Sequence, residues 1–135
     1  MTSREAPVYV LDTHALYWYW TDSRRLGSLA ASVFRALDER RGIGLVPLIV
    51  LAELYYLSRK LRRPWSMEHL LSAMDRAPAL RLEDVTRRHL RAFDQLEGIP
   101  EMHDRLIGAV ALIHGAPVVS RDRAFSDHPL ISKVW

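Results

Sequence analysis

The chain alternates short apolar runs with longer stretches in which apolar positions recur every three or four residues. Val8–Leu11, bounded by Pro7 and Asp12, reads as a buried strand. Thr13–Trp20 follows as an aromatic-rich helix, and Ser28–Arg40 carries Leu29, Val33, Phe34 and Leu37 at helical spacing. Gly42–Val46 predicts a second strand. Pro47–Leu61 predicts a helix with proline at its first position, where the missing N–H does no harm. Ser66–Arg76 is a further helix and Ala79–Leu82 a third strand. Val85–Leu96 reads as a basic amphipathic helix closed by Gly98 and Pro100. Asp104–His114 predicts a helix ending at Gly115. Pro117–Ser120 is a fourth strand, and Lys133–Trp135 a short edge strand. Residues 1–6 are polar and expected to be loose. Strands alternating with helices define an α/β domain with a central parallel sheet of four to five strands flanked by helices. The 135 residues suit one domain, residues 1–135, without repeats or a linker.

That alternation decides where the acids fall. Right-handed connections bring the C-terminal ends of parallel strands to one sheet edge, where ligands bind. Asp12 follows the first strand directly. Asp104 opens a helix that feeds the fourth strand, so it starts at the same edge. Asp122 lies just past that strand. Glu53 is the lone charge in LIVLAELYYL, residues 48–57, and its helical neighbours Ile49, Val50, Tyr56 and Leu57 are all apolar. A helix apolar all round is a buried one. Glu53 is therefore expected to face the interior or a cleft.

Gathered carboxylates raise one another's pKa, and the usual relief is a cation. All-oxygen ligands select Mg2+ or Mn2+ over zinc. Such a centre can activate water for attack at phosphorus. The residue-level reading is thus metal-dependent hydrolysis of a phosphodiester. Each acid also has a plainer explanation. Asp12 and Asp104 would serve as helix N-caps, Asp122 as a turn residue, and Glu53 as an ion-pair partner of an arginine. One shared site accounts for all four at once.

Composition narrows the classes. The chain lacks cysteine, which excludes disulfides, thiolate metal sites and a cysteine nucleophile. The apolar run Leu45–Leu57 contains Pro47 and Glu53 and is too short to cross a bilayer. No secretion signal is visible, and a cytoplasmic location is expected. Net charge is +3, and of 19 basic residues only Lys60 and Lys133 are lysine. Arginine suits phosphate partners, although arginine-rich usage also follows from genome composition. Two basic clusters, Arg59–Arg63 and Arg87–Arg91, read either as solvated helix faces or as phosphate tracks. Arg59, Lys60, Arg62 and Arg63 are the candidates for contact with a phosphate-bearing substrate. In YWYW, residues 17–20, four consecutive aromatics cannot all face one core. Tyr17, Trp18 and Trp20, with Tyr55 and Tyr56, are candidates for a partner surface; the alternative for YWYW is an aromatic core corner with the tyrosine hydroxyls reaching solvent. His14 and His103 adjoin proposed ligands but lack zinc-helix spacing.

Three segments carry a family resemblance. YVLDTHALYWYW (9–20), VPLIVLAELYYLSRK (46–60) and HDRLIGAVALIHGAPVVSRD (103–122) resemble, in order, the acidic motifs of PIN-domain proteins. Spacing and length are most similar to the VapC toxins of bacterial VapBC toxin–antitoxin pairs. The resemblance runs from Val8 to Phe125. It implies a PIN-like domain and an Mg2+- or Mn2+-dependent endoribonuclease toxin. By position, the acidic cluster is Asp12, Glu53, Asp104 and Asp122, with Thr13 and Ser120 as hydroxyl residues beside the first and last acids. It also implies a homodimer and a cognate antitoxin that wraps the toxin. Glu101 or Asp127 is the candidate for a fifth acid. The competing expectation is a PIN-like module that binds RNA or protein without cutting.

Overall fold

A computed structural model describes residues 6–135 of the chain; the segment 1–5, within the stretch expected to be loose, lies outside the described residues. Strand β1, Val8–Leu11, is β-branched and apolar, with Val10 and Leu11 fully buried. It lies at the centre of the sheet because it is apolar on both faces. It pairs in parallel with β2, Ile43–Pro47, on one side and with β4, Val118–Val119, on the other. Strand β3, Leu80–Glu83, adds outside β2, and β5, Lys133–Val134, outside β4. The result is a five-stranded, all-parallel sheet in the order β3-β2-β1-β4-β5.

Helices connect the strands: α1, Thr13–Trp20; α2, Ser28–Asp38; α3, Leu48–Lys60; α4, Met67–Asp75; α5, Arg87–Arg91; α6, Met102–His114; and the short α7, Arg123–Ser126. Among the described residues no helix is long and apolar enough to cross a membrane. α3 packs on α1, α4, α6 and β2, and α6 packs along β1, β2 and β4. Small residues at Gly108, Ala109 and Ala111 let α6 lie close to its neighbours. One continuous core holds these layers together.

Several elements differ from the sequence expectation. The helix read over 85–96 divides into α5 and a 3-10 turn, Phe93–Leu96. Thr86 delays its start, because the Thr86 hydroxyl and the His89 ring form a capping box across the first turn. Bonds from Ala92 N–H to His89 O and Gln95 N–H to Ala92 O then tighten the chain. Leu96 and Ile99 reach the core on either side of Gly98, which takes φ 103°. α6 begins two residues before Asp104, because Glu101 caps it. The α3 helix is not apolar-buried all round. Val50, Leu51, Leu54 and Ser58 form its buried stripe, while Tyr56 is 72% exposed. α7 was not foreseen.

Candidate active site

Asp12 ends β1 and caps α1: its Oδ1 accepts from Thr13 N–H at 2.7 Å. Its Oδ2 accepts from the Ser120 hydroxyl at 2.6 Å, across the β1–β4 junction. Thr13 in turn donates its hydroxyl to Glu53 Oε1 at 2.7 Å. The same hydroxyl of Ser120 accepts from Asp122 N–H at 2.9 Å, and Asp122 Oδ1 caps α7 through Ala124 N–H. The ends of β1 and β4 therefore deliver Asp12 and Asp122 to one sheet edge, the second turn of α3 brings Glu53 over it, and the first turn of α6 adds Asp104.

A cavity of about 460 Å3 opens there, lined by Asp12, Thr13, Glu53, His103, Asp104 and Asp122, with Lys60, Tyr56, Leu57 and His14 at its margins. A second depression of about 230 Å3 shares Asp12, His14 and Asp122 and continues past Trp18, Ser120 and Arg121. Asp12, Glu53, Asp104 and Asp122 thus face one space.

The electrostatics are those of crowded carboxylates. Burial raises the Asp12 pKa, with a smaller push from Asp122, against the lowering effect of Ser120, Thr13 and His14. Burial also raises Glu53, and Asp12 and Glu101 add to the shift, while Thr13 and His103 oppose it. Asp104 is raised furthest. Burial first, then Asp122, Asp12, Glu101 and Glu53, push it up to about 7. Its carboxylate has no hydrogen-bond donor or basic partner within bonding distance among the described residues.

The site's chemistry fits a hard divalent cation. Every acid oxygen is a hard donor, and the negative charge gathered around Asp104 lacks a counter-charge. Among the described residues no group of three or more histidines, cysteines and acids already stands close enough to hold a metal. That spacing is compatible with Mg2+, which commonly keeps several waters and uses only one or two carboxylates.

The remaining sequence-read residues sort by burial. Tyr17 and Trp18, read as docking candidates, are 7% and 5% exposed and belong to the core. Their rings pack on Trp65 and Trp135 respectively, which removes them from a partner surface. Trp20 and Tyr55 are half-buried, and Tyr56 projects. Arg59 is committed locally: its guanidinium lies 3.4 Å over the Tyr55 ring and donates to the Tyr55 and Trp65 carbonyls. Arg62 and Arg63 are exposed beyond the end of α3. Glu101 lies near enough to raise Glu53 and Asp104, but its Oε2 caps α6 through Asp104 N–H. Asp127 is exposed at the end of α7 and does not line the cavity. The sequence marked His103 only as local structure or support beside a proposed ligand, and did not mark Arg121. Their signal was adjacency alone, each standing beside a site acid.

Fold and site together define an α/β domain that gathers acids at the carboxyl edge of a parallel sheet. The family model described as PIN domain matches residues 9–129, and the chain belongs to that family. No curated protein sequence matches this chain. Three solved structures are similar in fold. VapBC2 from Rickettsia felis, bound to a DNA fragment from its promoter, aligns at 19% identity and TM-score 0.66, covering 93% of this chain and 96% of its own. A toxin–antitoxin complex from Klebsiella pneumoniae aligns at 18% identity and 0.64, covering 91% and 94%. DNA-bound VapBC from Salmonella typhimurium aligns at 21% identity and 0.65, covering 94% and 96%.

Proposed function

We propose that the chain is a divalent-metal-dependent endoribonuclease, the toxin of a toxin–antitoxin pair acting in the cytoplasm. The carrying observation is Asp104: it faces the shared cavity without a basic partner, while burial first and then four other acids raise its pKa to about 7. A binding module would gain nothing from that arrangement. PIN-domain membership and the fold likeness to VapBC complexes support the reading.

Asp12, Asp104 and Asp122, with Glu53 beside them, would hold Mg2+ or Mn2+. Such an ion lowers the pKa of a bound water and neutralises charge at a phosphoryl group. Ser120 and Thr13 orient Asp12 and Glu53. Lys60 on one side of the acids and Arg121 on the other offer charge to the phosphates flanking the scissile one. Exposed Arg62 and Arg63 extend the Lys60 side, and Trp20, Tyr55 and Tyr56 offer aromatic surface to an antitoxin or a second copy in a homodimer.

Expression of wild type against Asp104→Asn, with RNA 5′ ends mapped, tests the reading. Wild type should yield new ends that need Mg2+ or Mn2+ and that the variant lacks. Full cleavage in excess chelator overturns it.

A further inference from the structure

One cavity residue has no part in the acid cluster and yet touches two of its acids. His103 lies in the first turn of α6, next to Asp104, with its side chain 38% exposed. Its Nδ1 stands 3.2 Å from Glu53 Oε2 and 3.1 Å from Glu101 Oε1. These ion-pair contacts connect the hydrogen bonds made by Thr13 and Glu101 across three elements. The Thr13 hydroxyl at the start of α1 donates to Glu53 Oε1. The imidazole links Glu53 Oε2 on α3 to Glu101 Oε1. Glu101 Oε2 accepts from the backbone N–H of Asp104 at 3.0 Å.

Resting on the metal-dependent reading above, we infer that His103 is a positioning residue, whose Nδ1 edge, within ion-pair distance of both, holds the Glu53 and Glu101 carboxylates together at the mouth of the acid cavity. Glu53 and Glu101 repel one another, and Glu101 contributes to the raised pKa of Glu53. A donor between them offsets that repulsion. Glu53 has three side-chain torsions, and only Thr13 holds it if the imidazole is removed. It then turns outward, away from Asp12 and Asp104. The role needs only a proton on Nδ1, which the neutral ring supplies in one tautomer. His14 does not substitute: it is exposed, and its ring packs against Trp18.

Atom position gives the test. An asparagine amide places its nitrogen near the position of Nδ1, whereas glutamine places it near that of Nε2. Mn2+ affinity is measured by calorimetry on wild type, His103→Asn, His103→Gln and His103→Ala, alongside melting temperature. Asn should stay within about threefold of wild type, while Gln and Ala should weaken Mn2+ binding about 10–100-fold, as loss of such supporting contacts does. In RNA cleavage, Gln and Ala should lower kcat and raise the Mn2+ requirement with the KM for RNA unchanged. The Asn and Gln pair keeps the comparison interpretable if Ala folds poorly. Equal affinity across the series, Gln matching Asn, or a wild type that binds no Mn2+ overturns the inference. A wild type that binds Mn2+ yet cuts no RNA refutes the nuclease reading alone, and the affinity series still decides the role of His103.

Discussion

At the scale of the residue, the acids are held by different means, and each predicts its own response. Asp12 is buried, and the Ser120 hydroxyl is one of its two hydrogen-bond donors. Ser120→Ala leaves that carboxylate under-satisfied and should destabilise the protein by about 1–3 kcal/mol, measured by urea unfolding. Asp104 behaves in the opposite way to a salt-bridged acid. Its pKa rises from an ordinary 3.8 to about 7 on folding, so between those values the folded chain holds a proton that the unfolded chain has lost. Its contribution to stability is full below pH 3.8 and disappears as pH rises through 7. Without divalent cation, Asp104→Asn should therefore melt progressively higher than wild type as pH is raised from about 5 to about 8. A difference that is flat with pH, or that reverses, would show that Asp104 is not strained. Added Mg2+ should shrink the gap by supplying wild type with the missing counter-charge.

At the scale of the element, two glycines separate backbone freedom from space. Gly115 ends α6 at φ 60°, and a Cβ there would meet nothing within 4 Å. Gly115→Ala should therefore cost about 1 kcal/mol, from conformation alone. Gly27 caps α2, and a Cβ there would stand 2.3 Å from the Trp135 carbonyl oxygen, the group that accepts the Ala30 N–H. Gly27→Ala should cost about 1–3 kcal/mol and change tryptophan fluorescence, because Trp135 packs on Trp18. The contrast also marks what the sequence revealed. β1 and α1 were legible to the residue, since Pro7 and Asp12 punctuate them and the apolar pattern changes period between them. Asp12, Asp104 and Asp122 could be placed on one edge because parallel topology fixes strand ends, whereas Glu53, in the second turn of α3, was read only from the apolar surroundings of its helix. The break at Ala92 could not be read, because the polar pattern of 85–96 fits a continuous helix and the tightening is set by the tertiary burial of Leu96. Tyr17 and Trp18 were misread because Trp65 and Trp135, distant in sequence, supply the rings that cover them. His103 was read only as a neighbour of Asp104, because its contact with Glu53 joins residues whose relation only the α3–α6 packing reveals.

At the scale of the molecule, the two depressions on either side of the shared acids define a path about which salt dependence is informative. With cleavage disabled by Asp104→Asn, binding of a single-stranded RNA should weaken with salt. Lys60→Gln and Arg121→Gln should each reduce the log–log slope by about 0.7 if each meets one phosphate. An unchanged slope for Arg121→Gln would leave that residue as a lid on Trp18, over whose ring it lies at 4.7 Å. The strand order carries a last consequence, one of timing. The central strand is made first, but its neighbour β4 arrives more than a hundred residues later, with Ser120 and Asp122 close behind. A chain emerging from the ribosome through the end of α6 has β1, β2 and β3 to pair, yet Asp12 still lacks its Ser120 donor and one flank of the central strand is bare. Whatever this edge catalyses stays latent through most of synthesis and begins when β4 docks.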